Sequence, residues 1–429
     1  MEEQLRNNIL EKVKELSELI HRTDEFIPGT TMVPVSGRVF DYKDVQRGVN
    51  AVLDFWLTAG KEADMFEHSL SKLIGIRKSY LVNSGSSANL LAMKALKEFR
   101  KNSSNIVITT ALGFPTTLSA ITHSNMIPFL VDSDPQTYNV NIDSLKQAVY
   151  NNKPSIIILA HTLGNPFNLK EVTEIANNND ILLVEDCCDA LYSKYMNIPV
   201  GSFGDASTFS FYPAHHITMG EGGAVCTKDV AVGKAIASYR DWGRDCWCKP
   251  GHENTCGKRF EQQFGELEHG FDHKYVYTRE GSNLKATDIQ AAIGNSQLSK
   301  LREFTAARKR NFEIITQELQ QEKELRLPIA TENSEPNWFG YPIMLPAHIN
   351  LREFTEKLHQ LKVDTRLMFG GNLLRQPMAT GKNWLHGNLD STDQIAKRTF
   401  WIGVYPGITE EMIGYTTDCI KKTLKDQRK

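Results

Sequence analysis

Apolar residues recur along this chain at two periods, and the switches between them set out the elements. Residues 5–20, 43–56 and 65–74 space their apolar side chains along one face of a helix. Residues 26–39 carry Pro28, Pro34 and Gly37 and cannot form a regular helix. From residue 78 the pattern alternates: β-rich runs at 78–82, 105–110, 127–131, 155–160 and 181–185 are separated by helical or polar stretches such as 90–99, 144–150 and 169–177. This rhythm predicts an α/β fold with a mainly parallel central sheet covered on both faces and active residues at the strands' carboxyl ends. Helices are expected at 231–242 and, as one long element, at 287–319. Beyond it, runs at 338–344 and 363–368 alternate with helical stretches at 351–361, 392–400 and 410–424, the pattern of a smaller α+β unit.

A length of 429 residues exceeds one simple core and predicts about two domains. The division expected is an N-terminal helix and extended arm over 1–45, a large domain over 46–320 with a Cys-rich insertion at about 243–281, and a small C-terminal domain over 321–429. With 49 basic and 51 acidic residues the net charge is −2, so no nucleic-acid or anionic-membrane surface is indicated and any phosphate must be met by local groups. No stretch approaches the roughly 20 apolar residues of a membrane span, and the N-terminus reads as a charged amphipathic helix rather than a signal sequence; the cytoplasm is the expected location. The seven cysteines are then expected to be reduced, and inert, catalytic or metal-bound.

The candidate chemistry lies at the strand ends. After 78–82 comes Asn83-Ser-Gly-Ser-Ser-Ala-Asn89 and a helix, the layout of an anion site, without the Gly-Lys-Ser/Thr ending of a nucleoside-triphosphate loop. Later ends carry Gly113-Phe114-Pro115, His161, and Glu185-Asp186-Cys187-Cys188-Asp189. If the pleat continues past Asp186, Asp186 and Cys188 share one face and Cys187 looks away. The stretch 207–223, STFSFYPAHHITMGEGG, reads as a strand turning at Pro213 to display His215 and His216. The insertion holds Cys246, Cys248 and Cys256, which with Cys188 leave intervals of 57, 1 and 7 residues. Four thiolates suit an iron–sulfur centre, while His252 among them keeps zinc open as a structural staple. Cys226 and Cys419 read as structural, and Arg375 as either a surface arginine or an anion contact.

The 207–223 stretch resembles the sugar aminotransferase family of pyridoxal-phosphate enzymes, in which a lysine follows a Ser-Phe strand and precedes Gly-Glu-Gly-Gly by five residues. His215 stands at that spacing. An imidazole cannot form the lasting Schiff base that lysine makes, and a branch of the family carrying this change comprises 3-dehydratases that use pyridoxamine phosphate. The resemblance, which covers most of the chain, implies aminotransferase fold type I. It implies a cofactor phosphate at Gly85, Ser86, Ser87 and Ser210, Phe114 on the pyridine face, Asp186 at its nitrogen and His161 near the cofactor. Asn283 would reach the neighbouring subunit's cofactor in a homodimer with shared active sites, although Ser282 stands where the family often has an aromatic. The cysteine spacing matches dehydratases in which four thiolates hold a [2Fe-2S] cluster, here Cys188, Cys246, Cys248 and Cys256.

The implied activity is removal of the 3-hydroxyl from a nucleotide-linked 4-keto-6-deoxyhexose, with His215 as base. CDP-4-keto-6-deoxyglucose is the commonest substrate for this motif. The electrons would come from a separate NADH-dependent flavin and iron–sulfur reductase, because no Gly-x-Gly-x-x-Gly follows a strand here. The product class is the 3,6-dideoxyhexoses of O-antigen. A dTDP-sugar dehydratase, an ordinary sugar aminotransferase and a catalytically dead, zinc-stapled scaffold remain as alternatives.

Overall fold

The computed structural model describes residues 1–21 and 25–427. At its centre is an eight-stranded sheet in the order Lys78–Val82, Gly223–Thr227, Ala206–Ser210, Leu182–Asp186, Ile156–Ala160, Ile106–Thr110, Ile127–Val131 and Leu385–His386. Gly223–Thr227 alone runs against its neighbours, so the mainly parallel α/β sheet expected from the alternating pattern is present. Strands buried on both faces must be apolar at nearly every position, and IIILA at Ile156–Ala160 meets that condition. Its alternate residues feed two cores. Ile157 and Leu159 join Phe66, Leu70, Ile108, Leu183 and Phe209 on one face, and Ile156 and Ile158 join Leu91, Leu96, Val107, Val184 and Val225 on the other.

The differences from the sequence pattern have local causes. The reversed strand Gly223–Thr227 passes so close to the turn before the helix Gly85–Glu98 that a Cβ on Gly223 would lie 2.4 Å from the Ser84 carbonyl. Glycine is therefore required where an apolar pattern would not mark a strand. The long helix expected at 287–319 divides into Asp288–Ser299 and Leu301–Leu319 at Lys300, whose ammonium is held by Asp41 and Asp44. The run expected as a helix at 392–400 ends at Arg398, and the aromatic and branched residues TFWIG continue as the strand Thr399–Gly403. That strand lies between Gly340–Met344 and Arg366–Leu367 in a three-stranded antiparallel sheet. A further core, including Phe354, Phe400, Ile402, Ile420 and Leu424, packs it against the helices Leu351–Gln360 and Glu410–Gln427.

One buried acid fastens the edge of the large sheet. Glu67, in the helix Lys61–Ile74, accepts from Lys78 Nζ at 2.9 Å, the Leu81 amide at 2.9 Å and Arg240 Nη1 at 2.8 Å. Burial alone would raise the Glu67 pKa, but Arg240 and Lys78 more than offset it and hold the carboxyl below its ordinary value. A folded-state pKa below the unfolded one adds stability at neutral pH that is lost as pH falls below the unfolded value of about 4.3. Glu67→Ala leaves the buried Arg240 without its closest carboxylate, with only the Leu81 carbonyl and Asp241 at 4.0 Å in its place. It should cost about 3–5 kcal/mol in urea unfolding at pH 7, with the difference from wild type narrowing as the pH falls through that range.

Candidate active site

Ser84 starts the helix Gly85–Glu98 by accepting the Ser87 amide at 3.1 Å, and its hydroxyl reaches Ser87 Oγ at 3.1 Å. Small residues are needed here because other groups converge on the turn. A Cβ on Gly85 would lie 2.6 Å from Ser210 Cβ and 3.0 Å from Cys188 Sγ. The end of the strand Ala206–Ser210 and the turn after Leu182–Asp186 thus meet the first turn of this helix, whose amides and dipole favour an anion. Of the residues expected at a phosphate, Gly85 and Ser210 are in contact range, and Ser86 and Ser87 continue the same turn with Ser86 exposed.

Asp186 is fixed from three sides. Its Oδ2 accepts from Asn89 Nδ2 at 2.8 Å and Thr117 Oγ1 at 2.7 Å, and Oδ1 accepts the Cys188 amide at 3.2 Å. Thr208 donates to Asn89 Oδ1 at 2.6 Å, so a neighbouring strand sets the amide that sets the carboxylate. Phe114, an exposed residue, sits just before the helix Pro115–His123, where a ring can cover a flat ligand.

His161, expected near a cofactor or else as a capping or turn histidine, lies on the opposite face with Glu185 and Cys187, fully buried and stacked on Phe167 at 4.2 Å. Its Nδ1 accepts the Phe167 amide at 3.2 Å, so Nε2 carries the proton and donates to Glu185 at 3.2 Å. Glu185 also accepts the amides of Gly201, Phe203 and Gly204 at 2.8 Å. Both ring nitrogens are committed, so the position supports the fold.

His215 and His216 point to different surroundings. His216 is 2% exposed and donates from Nε2 to the Asn337 carbonyl at 2.8 Å. His215 Nδ1 lies 3.5 Å from Asp189 Oδ1, with its ring tilted against Phe339 at 5.2 Å between centroids. Burial pushes His215 down to about 4; Asp186 opposes the shift and Arg308 adds to it. Burial, with Asp186 nearby, pushes Asp189 up to about 8. At neutral pH an uncharged imidazole therefore faces an uncharged carboxyl. Nδ1 faces Asp189 but, buried, has no hydrogen-bond partner.

The cysteines divide between the pocket and the loop. Cys188 is at the Gly85 turn, and burial followed by Asp186 raises its thiol well above the ordinary value. Cys246 and Cys248 are free thiols that hydrogen-bond to each other, Cys248 Sγ accepts the Thr255 amide at 3.4 Å, and Cys256 Sγ accepts the Lys258 amide at 3.4 Å. Burial opposes ionisation of Cys248, but the Thr255 bonds outweigh it and the thiol is held below its ordinary value. Backbone amides aimed at sulfur fit thiolates that ligate a metal. Among the described residues, however, the four thiols are not drawn together: the one set of three potential ligand atoms mutually within 4.8 Å is His161, Glu185 and Cys187.

The histidine at the loop thiols is His273, not the exposed His252. His273 Nδ1 is 3.7 Å from Cys256 Sγ and Nε2 is 2.7 Å from Asp245. Asn283 is exposed and bridges to Asp241 through its backbone. Arg375 is exposed and already paired with Asp393 at 3.0 Å. The sequence reading missed Asn89, Thr117, Asp189, Arg308 and His273. Asp189, the acid ending the Glu185–Asp189 run, and Asn89, closing the Asn83–Asn89 turn, had a local signal.

The sequence profile described as the DegT/DnrJ/EryC1/StrS aminotransferase family matches residues 41–421. The chain is 49% identical over 420 residues to the lipopolysaccharide biosynthesis protein RfbH of Salmonella typhimurium, covering 96% of each. It is 45% identical over 411 residues to dTDP-4-dehydro-2,6-dideoxy-D-glucose 3-dehydratase of Saccharopolyspora spinosa, covering 93% of this chain and 89% of that one. Among solved structures, it matches E. coli GDP-4-keto-6-deoxy-D-mannose-3-dehydratase with bound hydrated PLP at a TM-score of 0.81 and 25% identity, covering 91% of this chain and 100% of the other. The fold is aminotransferase fold type I. At the crowded Gly85 turn, Gly85→Ala should force Ser210 and Cys188 aside and cost about 1–3 kcal/mol in urea unfolding; an unchanged midpoint would show that the turn yields freely.

Proposed function

The chain belongs to the DegT/DnrJ/EryC1/StrS aminotransferase family, and from that premise we propose that it removes the 3-hydroxyl of a nucleotide-linked 4-keto-6-deoxyhexose, most simply CDP-4-keto-6-deoxyglucose. At the coarser level it is an enzyme of the sugar 3-dehydratase and aminotransferase group that serves deoxysugar or lipopolysaccharide synthesis. The observation that carries the finer reading is His215. The side chain after the Ala206–Ser210 strand is an uncharged imidazole set against Asp189, with no amine at that position to capture an aldehyde.

Pyridoxamine phosphate fits the pocket. Ser86, Ser87, Ser210 and the Gly85 amide would hold its phosphate, Asp186 its ring nitrogen and Phe114 one ring face. When bound, the cofactor supplies an amine and an electron-withdrawing ring. The chain's part is to position and to move protons. Asn89 and Thr117 orient Asp186, leaving Oδ1 as its less occupied oxygen. His215 would take a proton onto its imidazole and return it to the departing hydroxyl, because an imidazole that is neutral at rest can act in both directions.

Deoxygenation also needs two electrons. Cys188, Cys246, Cys248 and Cys256 are the donor set we assign to a [2Fe-2S] cluster, which passes electrons singly; backbone amides aimed at the sulfurs of Cys248 and Cys256 support a ligand role there. A separate NADH-dependent flavin and iron–sulfur reductase would supply them. Asn283 would complete the site of a second copy in a homodimer. No described helix is long and apolar enough to cross a membrane. The S. spinosa relative makes a dTDP-linked substrate the second reading. Turnover of CDP- against dTDP-4-keto-6-deoxyglucose with a generic reductase decides between them.

Two variants test the assignment. His215→Lys should lower dehydration by at least about a hundredfold, the lower range of general-base contributions, with any gained activity being amino transfer; undiminished dehydration would remove His215 from its role. Cys246→Ser should lower iron and labile sulfide in anaerobically prepared protein and impair reductive turnover, and normal iron content with normal deoxygenation would refute the quartet.

A further inference from the structure

We propose that the Cys-rich insertion binds a single zinc ion of its own through Cys246, Cys248, Cys256 and His273, a site that goes beyond the cluster reading because it does without Cys188. The geometry at His273 carries the inference. Its Nε2 is 2.7 Å from Asp245 Oδ2, and since a carboxylate only accepts, the proton sits on Nε2 and Nδ1 presents a lone pair. That lone pair meets Cys256 Sγ at 3.7 Å. A carboxylate behind one imidazole nitrogen and a thiol before the other is the arrangement that turns a histidine toward a metal. The ring is held in this orientation. Phe264 stacks on it at 4.9 Å, Trp247 meets it edge-on at 5.7 Å, and the residue is 2% exposed. His252, by contrast, is exposed and lies outside the cavity that His273 lines.

The donors come in two pairs, each spaced for one tetrahedral ion. With sulfur at about 2.3 Å and nitrogen at about 2.0 Å from zinc, two sulfurs stand about 3.8 Å apart, and a sulfur and a nitrogen about 3.5 Å. Cys256 Sγ and His273 Nδ1 already form such an edge, and Cys246 and Cys248 form a second pair in hydrogen-bond contact. The Thr255 amide on Cys248 Sγ ties that second pair to the residue before Cys256, and Cys246, Cys248 and His273 line one small cavity. Among the described residues the pairs are not all within 4.8 Å of one another, so the ion has to draw them together. The loop between them has the means, since Gly251 and Gly257 are exposed and both at positive φ. Gln262 Nε2, 3.4 Å from His273 Nδ1, gives way to the metal. Binding releases the three thiol protons to water and leaves three thiolates and a neutral imidazole on Zn²⁺.

Full-length protein, freed of iron and kept reduced without oxygen, is titrated with Co²⁺, whose visible spectrum reports tetrahedral sulfur coordination, and then with Zn²⁺ against a chromophoric chelator. Wild type should take up one tetrahedral Co²⁺ per chain, displaced by one Zn²⁺, and Cys188→Ser should do the same. Asp245→Asn should weaken zinc binding about 10–100-fold and His273→Ala at least as much. Because His273→Ala can unsettle the loop, zinc-edge X-ray absorption of the wild-type protein gives a reading free of any variant: three sulfurs and one imidazole nitrogen are expected. Four sulfurs, octahedral or absent Co²⁺ uptake, unchanged zinc affinity in His273→Ala, or loss of the ion in Cys188→Ser would each overturn the site. Cys188→Ser also keeps this inference distinguishable from the cluster reading. If that variant loses zinc, the zinc site falls and the quartet stands; if it still assembles iron and sulfide, the quartet falls and the zinc site stands. Zinc retained while iron and sulfide are lost supports both.

Discussion

The site depends on the strict alternation of a pleated strand carried one step past its end. Leu182–Asp186 is buried on both faces, and its last residues cannot all be polar toward one side without stranding charge in the other core. The chain resolves this by pairing each polar side chain with partners on its own face. Glu185 turns to His161 and three amides, whereas Asp186 turns to Asn89 and Thr117. Cys187 follows Glu185 into the core, and Cys188 follows Asp186 to the Gly85 turn. A slip of one residue would exchange the two sets and put a thiol and a carboxylate with no donors against Phe167.

That alternation brings three separate segments to one place. The Gly85 turn, the end of Ala206–Ser210 and the turn after Asp186 interlock through side chains no larger than serine or cysteine. This leaves the helix amides open to an anion. His215 enters from a fourth segment, and its loop is held from beneath by contacts of His216 to Asn337 and of Arg308 to three carbonyls. The result differs from free side chains at the acid: burial with Asp186 nearby pushes Asp189 up to about 8, while burial pushes His215 down to about 4 and keeps it uncharged at neutral pH.

Much of this was legible in the sequence because it is written in local period. The parallel strands, the small-residue turn before a helix and the side taken by Asp186 and Cys188 follow from pleat and composition, and the structure places them so. The same reasoning puts Cys187 in the core. What was not legible depends on partners far apart in sequence. Asn89 lies 97 residues from Asp186, Arg308 lies 93 from His215 and His273 lies 28 from Asp245. No period marks such pairs. His161 was not legible either, for a related reason. A histidine at a strand end looks chemical until the partner of each nitrogen is known, and the Phe167 amide and Glu185 that claim this one cannot be recognised from a six-residue window.

The loop thiols raise a different physical question, since Cys246, Cys248 and Cys256 are set out by amides and by His273 while Cys188 is set out by the pocket. Burial followed by Asp186 raises the Cys188 thiol, and in the loop the paired thiols move in opposite directions, Cys246 up by burial and Cys248 down through Thr255. Under the proposed function a metal that takes all four sulfurs would have to displace protons held by burial at Cys188 and Cys246, and it would tie the loop to the face that carries Asp186.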